Sequence, residues 1–136
     1  MCYFLYGSIN DGIDMKQYNR EMQDSKYHFN IGSKQDVNAS VEKCDSIYRI
    51  TSDYCDCNTP LGKKSESNNA LKDFDRLLNK LKSVSGIKHV YLSKNWVYET
   101  NEKEETVHIN DIDSLHYLAN IEENCLCKIE LYKRYY

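Results

Sequence analysis

The sequence predicts a single α+β domain over residues 1–136, with a mixed or antiparallel sheet and about three helices packed mainly on one face. Two observations lead to this prediction. Segments of strand-like composition follow no regular alternation with the helical segments, an order typical of α+β folds. The 136 residues are a usual length for one domain, and the composition changes character nowhere along the chain. Such a chain buries roughly 68% of its unfolded surface, enough to fold without disulfides or a structural metal.

The first strand and the first helix are predicted close to the N-terminus. Residues 2 to 9 are almost wholly apolar or aromatic, which indicates a buried strand ending in a turn at Gly7–Ser8. Either Asp11 or Asp14 can cap a helix over about residues 14 to 24, in which methionine and tyrosine recur at helical spacing. The apolar stripe of this helix is thin, so we expect it to lie at the surface.

Two further strands are predicted in the next part of the chain. They are Tyr27–Ile31 and Ser46–Asp53, of which the second has high β propensity. Residues 37 to 44 between them fit a strand and a short helix equally well. Both alternatives stay open for that segment.

The clearest pattern in the sequence is an amphipathic helix in the middle of the chain. Ser67 or Asn68 can cap its start, and Gly86 stands where a helix typically ends. One face of this helix is apolar, at Leu71, Phe74, Leu77, Leu78, Leu81 and Val84. We expect that face to pack on the sheet.

The last third of the chain predicts more strands and a third helix. Residues 89–92 and 96–98 indicate one long strand or a bent pair, whereas residues 101–105 have the charged composition of a solvated loop. Asn110, after a short strand, can cap the third helix. Residues 125–131 alternate between apolar and polar side chains, which is typical of a half-buried strand.

Charge and hydropathy exclude several classes of partner. The net charge is −3, from 18 basic and 21 acidic residues without a long run of one sign, so no nucleic-acid partner is expected. No segment approaches the ~18 apolar residues of a membrane-spanning helix, and the N-terminus lacks the basic region of a signal peptide. We therefore expect a cytoplasmic protein that binds no membrane and keeps its six cysteines mostly reduced.

Two Cys-x-Cys motifs raise the question of metal binding. Cys125 and Cys127 alternate with apolar residues that follow them, so we predict that both are small core side chains. Cys55 and Cys57 instead end a strand in polar surroundings, where a zinc site, a redox pair or a reactive thiol would each fit. The alternative, two partly buried structural thiols, stays open. We therefore expect no cofactor, with zinc as the one alternative that stays open.

The tripeptide Tyr6-Gly7-Ser8 suggests a ligand site. A strand that ends in a glycine turn exposes backbone amides, and such amides form a nest for an anion. The tripeptide resembles the Tyr-Gly-Ser opening of γ-glutamylcyclotransferases, which implies a small-molecule enzyme whose turn holds the carboxylate of its substrate. The chain departs from that family at Ile9, where the family has Asn or Leu. The resemblance also implies a glutamate as acid and base, and Glu99 is available for that role.

No motif establishes an enzymatic activity, so the leading hypothesis is a non-enzymatic protein that binds a small ligand or another protein. The 12 tyrosines fit such a role, because tyrosine is favoured at binding surfaces. Tyr135 and Tyr136, which follow Tyr132, fit the contact of a homo-oligomer and the closure of the core equally well. Small proteins of this composition are common in phages and mobile elements, where they block or sequester components of host defence. The alternatives are the small-molecule enzyme and a cysteine-based metal or redox protein.

Overall fold

A five-stranded mixed sheet forms the centre of the fold, with its strands in the order β2-β1-β3-β5-β4. The strands are β1 Tyr3–Ile9, β2 Tyr48–Arg49, β3 His89–Trp96, β4 Lys103–His108 and β5 Cys125–Glu130. All neighbouring strands are antiparallel except β4 and β5, which run parallel. This computed structural model describes residues 3–9, 12–23, 48–49, 56–57, 59, 61–63, 69–96 and 101–133, with the backbone alone at positions 4, 48 and 49.

Three α-helices and a 3₁₀ turn accompany the sheet in these ranges. They are α1 Met15–Met22, α2 Asn69–Leu81, the 3₁₀ turn Ile109–Asp111 and α3 Ser114–Ala119. The apolar stripe of α2 is the one that the sequence predicts, since its leucines and Phe74 are all buried. The α+β fold class is thereby confirmed.

The helices pack on one face of the sheet and enclose the hydrophobic core there. Alternate strand residues point to this face and are buried, namely Leu5, Ile9, Val90, Leu92, Cys125, Cys127 and Ile129. Tyr18 of α1, Phe74 of α2 and Leu118 of α3 belong to the same buried cluster. The opposite face carries buried polar side chains as well as apolar ones, among them Ser93 and Asn95.

Strand β1 continues through Gly7 and Ser8, so the turn predicted there is wrong. Gly7 pairs with Leu92 of β3, and Ile9 still pairs with Val90 at the end of the strand. Glycine and serine have low strand propensity, but pairing with neighbouring strands outweighs such a local preference. The sheet therefore determines the conformation of this segment.

The prediction of a charged loop at residues 101–105 is wrong from Lys103 onward, because β4 begins there. β4 is the edge strand beside β5, and its first four residues are exposed. Charged side chains suit such a position, since they stay in water and discourage pairing with a further strand. Pairing with β5, from Lys103–Cys125 to His108–Glu130, gives the sheet its parallel pair.

The third helix is capped by Asp113 rather than by Asn110. The Asp113 side chain accepts a hydrogen bond from the His116 amide at 3.2 Å, whereas Asn110 lies within the 3₁₀ turn. His108 precedes that turn, and its Nδ1 accepts from the Asn110 amide at 3.1 Å. Two short helical elements therefore stand where one longer helix is predicted.

Of the remaining predictions, some are confirmed and others concern segments that lie outside the described residues. β3 is one continuous strand as far as Trp96, and β5 has the predicted alternation from Cys127 onward, whereas Leu126 is buried as well. The strand predicted at Tyr27–Ile31, the ambiguous segment 37–44 and the caps Ser67 and Asn68 lie outside the described residues.

Asn124 joins the ends of three strands. Its φ of 54° places it in the left-handed region, which asparagine tolerates better than most residues. Its amide donates to the Lys94 carbonyl of β3 at 2.9 Å, and its own carbonyl accepts from the Glu102 amide at 2.7 Å. The start of β5 is thereby connected both to β3 and to the residue that precedes β4.

Replacing Asp14 with alanine should lower the free energy of unfolding by about 1 kcal/mol, the usual effect of losing an N-cap. The Asp14 carboxylate accepts from the Gln17 amide at 3.1 Å at the start of α1, and alanine leaves that amide without its acceptor. Urea denaturation of Asp14→Ala and Asp14→Asn measures the effect, because asparagine retains an acceptor oxygen. Equal destabilisation by the two substitutions would show that the cap contributes nothing.

Candidate functional site

A cleft of about 370 Å³ lies at the carboxyl ends of the parallel strands β4 and β5. Because parallel strands end on the same side of a sheet, their last residues, His108 and Glu130, are register partners. The 3₁₀ turn follows β4 at once and brings Asp111 to the same place. The cleft is lined by Thr106, Val107, His108, Asp111, Ile112, Glu130 and Tyr132.

His108 fixes the position of Tyr132 on the lining of this cleft. Its Nδ1 accepts from the Asn110 amide at 3.1 Å, so Nε2 carries the proton and donates to the Tyr132 carbonyl at 2.8 Å. The ring also meets that of Tyr132 edge-on, with 4.8 Å between the ring centroids. Both nitrogens of His108 are thus used in hydrogen bonds to the backbone.

The lining of the cleft is acidic and partly apolar. Asp111 is exposed and Glu130 is half-buried, and no lysine or arginine is among the described residues that line the cleft. Val107 and Ile112 are half-buried apolar residues on the same lining. The volume falls within the range of about 300–1,000 Å³ in which proteins bind small molecules.

Tyr6, Gly7 and Ser8 line a different and much smaller space. Together with residues of β3 and with Leu126 they enclose about 10 Å³, which is room for about one water molecule. All three residues are buried and lie in the paired part of β1. The predicted anion nest depends on free amides at a strand end, whereas Gly7 and Ser8 are register partners of Leu92 and Tyr91 within the sheet. Glu99, the predicted acid and base, lies outside the described residues.

Of the predicted metal ligands, Cys57 is half-buried, and Cys55 lies outside the described residues. Between them, Asp56 is buried and has a structural role that the sequence did not suggest. Its amide donates to the Tyr3 carbonyl at 2.8 Å, and its carboxylate accepts from the Leu5 amide at 2.7 Å. Asp56 thus provides hydrogen-bond partners for the backbone of Tyr3 and Leu5, whereas the short strand β2 pairs with Tyr6 and Gly7.

Lys94 is a buried cation close to Cys57, and sequence reasoning missed it. Its ammonium donates to the Leu61 carbonyl at 3.0 Å and lies 4.7 Å from the centre of the Tyr3 ring. Burial lowers the pKa of Lys94, while the nearby Glu123 acts in the opposite direction. Its position on β3, in alternation with Val90 and Leu92, was the available signal that it points to the core side.

Cys125 and Cys127 are buried in the hydrophobic core, so their prediction as core side chains is confirmed. Burial raises the pKa of the Cys127 thiol to about 12, and it also raises the pKa of Cys125. Both residues are therefore protonated thiols at neutral pH when no ion is bound. Thiols in that state are poor nucleophiles.

The described tyrosines are mostly enclosed. Tyr6, Tyr18 and Tyr91 are buried, whereas Tyr132 is 46% exposed and borders the cleft. Among the tyrosines whose side chains the structure describes, Tyr132 is the most exposed. Residues 135 and 136 of the predicted oligomer contact lie outside the described residues.

The chain was compared with protein-family models, with curated proteins and with solved structures, and none of the three comparisons found a match. Among the described helices, none has both the length and the hydropathy required to cross a membrane.

Proposed function

We propose that this protein is a non-enzymatic binding protein that holds a small, positively charged organic ligand in the cleft beside His108. The observation that carries this proposal is the cleft itself, with its volume of about 370 Å³ and its lining of two carboxylates, an aromatic ring and two aliphatic side chains. A ligand with an ammonium group and a short apolar body complements this lining in charge and in polarity.

The charges of the cleft favour an ammonium group over an anion. Asp111 and Glu130 bring two carboxylates to its lining, and no lysine or arginine is among the described residues that line it. Hydrogen bonds between an ammonium and a carboxylate are about twice as strong as neutral ones. The Tyr132 ring adds an attraction for cations through its negative face.

The lining supports binding rather than catalysis. His108 uses both ring nitrogens in hydrogen bonds to the backbone, so the imidazole would have to break one of them to transfer a proton. Neither serine nor cysteine is among the described residues that line the cleft. The aliphatic side chains of Val107 and Ile112 provide apolar contact for the body of a ligand.

Benzylamine, benzyl alcohol and benzoate test this proposal, because they share a ring and differ in charge. We expect benzylamine to bind about tenfold more tightly than benzyl alcohol, the gain of one charge-assisted hydrogen bond. Benzoate should bind most weakly. Titrations followed by ¹H–¹⁵N NMR should place the benzylamine shifts at the amides of Thr106, Asp111 and Ile112.

The double variant Asp111→Asn/Glu130→Gln should bind benzylamine no more tightly than benzyl alcohol. Glu104→Gln is the control, since this exposed carboxylate of β4 does not line the cleft. Its affinity for benzylamine should equal that of the unmodified protein. Equal affinities for benzoate and benzylamine, or amide shifts confined to other parts of the molecule, would refute the proposal.

A further inference from the structure

Two buried thiols and a carboxylate converge on the helix-covered face of the sheet, apart from the cleft. Cys125 and Cys127 alternate on β5, and Glu105 is the register partner of Cys127 on the parallel strand β4. The two Sγ atoms and one carboxylate oxygen of Glu105 all lie within 4.8 Å of one another. Three side chains that are typical zinc ligands thus meet at one point.

The separation of the two sulfur atoms matches the requirement of a zinc ion. In an extended strand, residues i and i+2 are about 6–7 Å apart, so their side chains normally stand well separated. The Sγ atoms of Cys125 and Cys127 are only 3.9 Å apart, which means that the side chains turn toward each other. Two thiolates on a tetrahedral zinc ion, each at about 2.3 Å from the metal, are separated by about 3.8 Å.

Tyr117 of α3 orients one of these three side chains. Its hydroxyl donates to the Glu105 carboxylate at 2.9 Å. Metal ligands are commonly held by such an outer layer of hydrogen bonds, which limits their rotation before the ion arrives. Glu105 itself is exposed, so an ion can reach the site from solvent on that side.

The donor set selects a soft divalent metal. Thiolates favour zinc over magnesium and calcium, which prefer oxygen ligands alone. Two thiolates and one carboxylate bring three negative charges, and Zn²⁺ offsets two of them. An ion must displace both thiol protons, as it does generally when cysteines bind zinc.

We propose that Cys125, Cys127 and Glu105 form a zinc-binding site with three protein ligands, oriented by Tyr117 and open to solvent beside Glu105. Three protein ligands leave one position of a tetrahedral ion for water or for an exogenous ligand. This site is separate from the cleft, and neither proposal depends on the other.

Cobalt titration of the reduced, metal-free protein tests the site. Co²⁺ substitutes for Zn²⁺ in tetrahedral thiolate sites and gives intense visible bands together with a thiolate-to-cobalt charge-transfer band. We expect one Co²⁺ per chain with both features, and stoichiometric displacement by Zn²⁺. The absence of a thiolate-to-cobalt band at saturating Co²⁺ would overturn the proposal.

Substitutions assign the ligands. Cys125→Ser and Cys127→Ser should each abolish the tetrahedral cobalt spectrum, and Glu105→Gln should weaken Co²⁺ binding. Tyr117→Phe tests the positioning role and should lower affinity about tenfold to a hundredfold while the number of bound thiolates stays the same. Glu104→Gln and Cys57→Ser are matched controls that should leave the spectrum and the affinity unchanged.

The cysteine variants alter the core, so circular dichroism must first show that they are folded. If they are not, Glu105→Gln and Tyr117→Phe decide the question, because unchanged affinity in both would overturn the proposal. A cobalt spectrum retained by the folded Cys125→Ser/Cys127→Ser double variant would also overturn it. Loss of the spectrum in Cys57→Ser would likewise overturn it, by assigning the ion to the other Cys-x-Cys motif.

Discussion

Replacement of Phe74 by alanine should lower the free energy of unfolding by about 3–5 kcal/mol, the range observed when a buried aromatic side chain is truncated in a core. Phe74 is 0% exposed and is the largest of the fully buried side chains among the described residues. Alanine would remove its contacts and leave a cavity, because the surrounding helices and strands relax only in part.

Urea denaturation of Phe74→Ala, Phe74→Leu and Lys72→Ala measures this effect. Phe74→Leu should be less destabilising, because leucine refills much of the volume. Lys72 is exposed on the same helix, so its replacement by alanine should change the free energy of unfolding by no more than about 0.5 kcal/mol. A loss below about 1 kcal/mol for Phe74→Ala would contradict the buried position that the structure gives this residue.

Gly62→Ala should be the second strongly destabilising change, by about 2–4 kcal/mol in the free energy of unfolding. Gly62 has a φ of +74°, which disfavours any residue with a Cβ atom. A Cβ there would also lie 2.5 Å from the Ile121 carbonyl oxygen, closer than any van der Waals contact allows. Since the neighbour is backbone, the overlap is relieved only by moving the chain.

Gly12→Ala separates these two contributions. Gly12 has a similar φ of +81°, but a Cβ built there would meet no atom within 4 Å. Its substitution should therefore show the conformational effect alone, about 1–2 kcal/mol. Thermal and urea unfolding of both variants provide the comparison. Equal losses for Gly12→Ala and Gly62→Ala would mean that the contact with Ile121 is not present in solution.

The substitution at Gly62 also bears on how α3 is positioned. The Gly62 amide donates to the Leu118 carbonyl at 3.0 Å, which fastens residues 61–63 to the end of α3. α3 carries Tyr117, whose hydroxyl donates to the Glu105 carboxylate. A folded Gly62→Ala variant should thus show weakened cobalt binding, although none of the three proposed ligands is changed.

Elements that depend on local chemistry were predictable from the sequence. α2 follows from the helical spacing of its leucines, and β5 follows from alternation at every second residue. Asp14 was one of two alternatives for the cap of α1, and the structure selects it. In each case the signal lies within a few residues of the element itself.

Elements that depend on distant partners were missed or misassigned. The charged start of β4 has the composition of a loop, and it becomes a strand because it pairs with the N-terminal half of β5. Gly7 and Ser8 have the composition of a turn, and they remain extended because β3 pairs alongside them. Local preferences of this size are readily outweighed by tertiary contacts.

The sequence by itself determined the fold class, the helix that covers the sheet and the core position of Cys125 and Cys127. Only the tertiary structure decided which side chains meet. Glu105 approaches the two cysteines, and Asp111 approaches Glu130, because β4 and β5 are parallel neighbours although they are separated along the chain by α3. A pattern of adjacent residues carries no information on such a pairing, which is why the cleft and the proposed zinc site could be recognised only once the strands were in register.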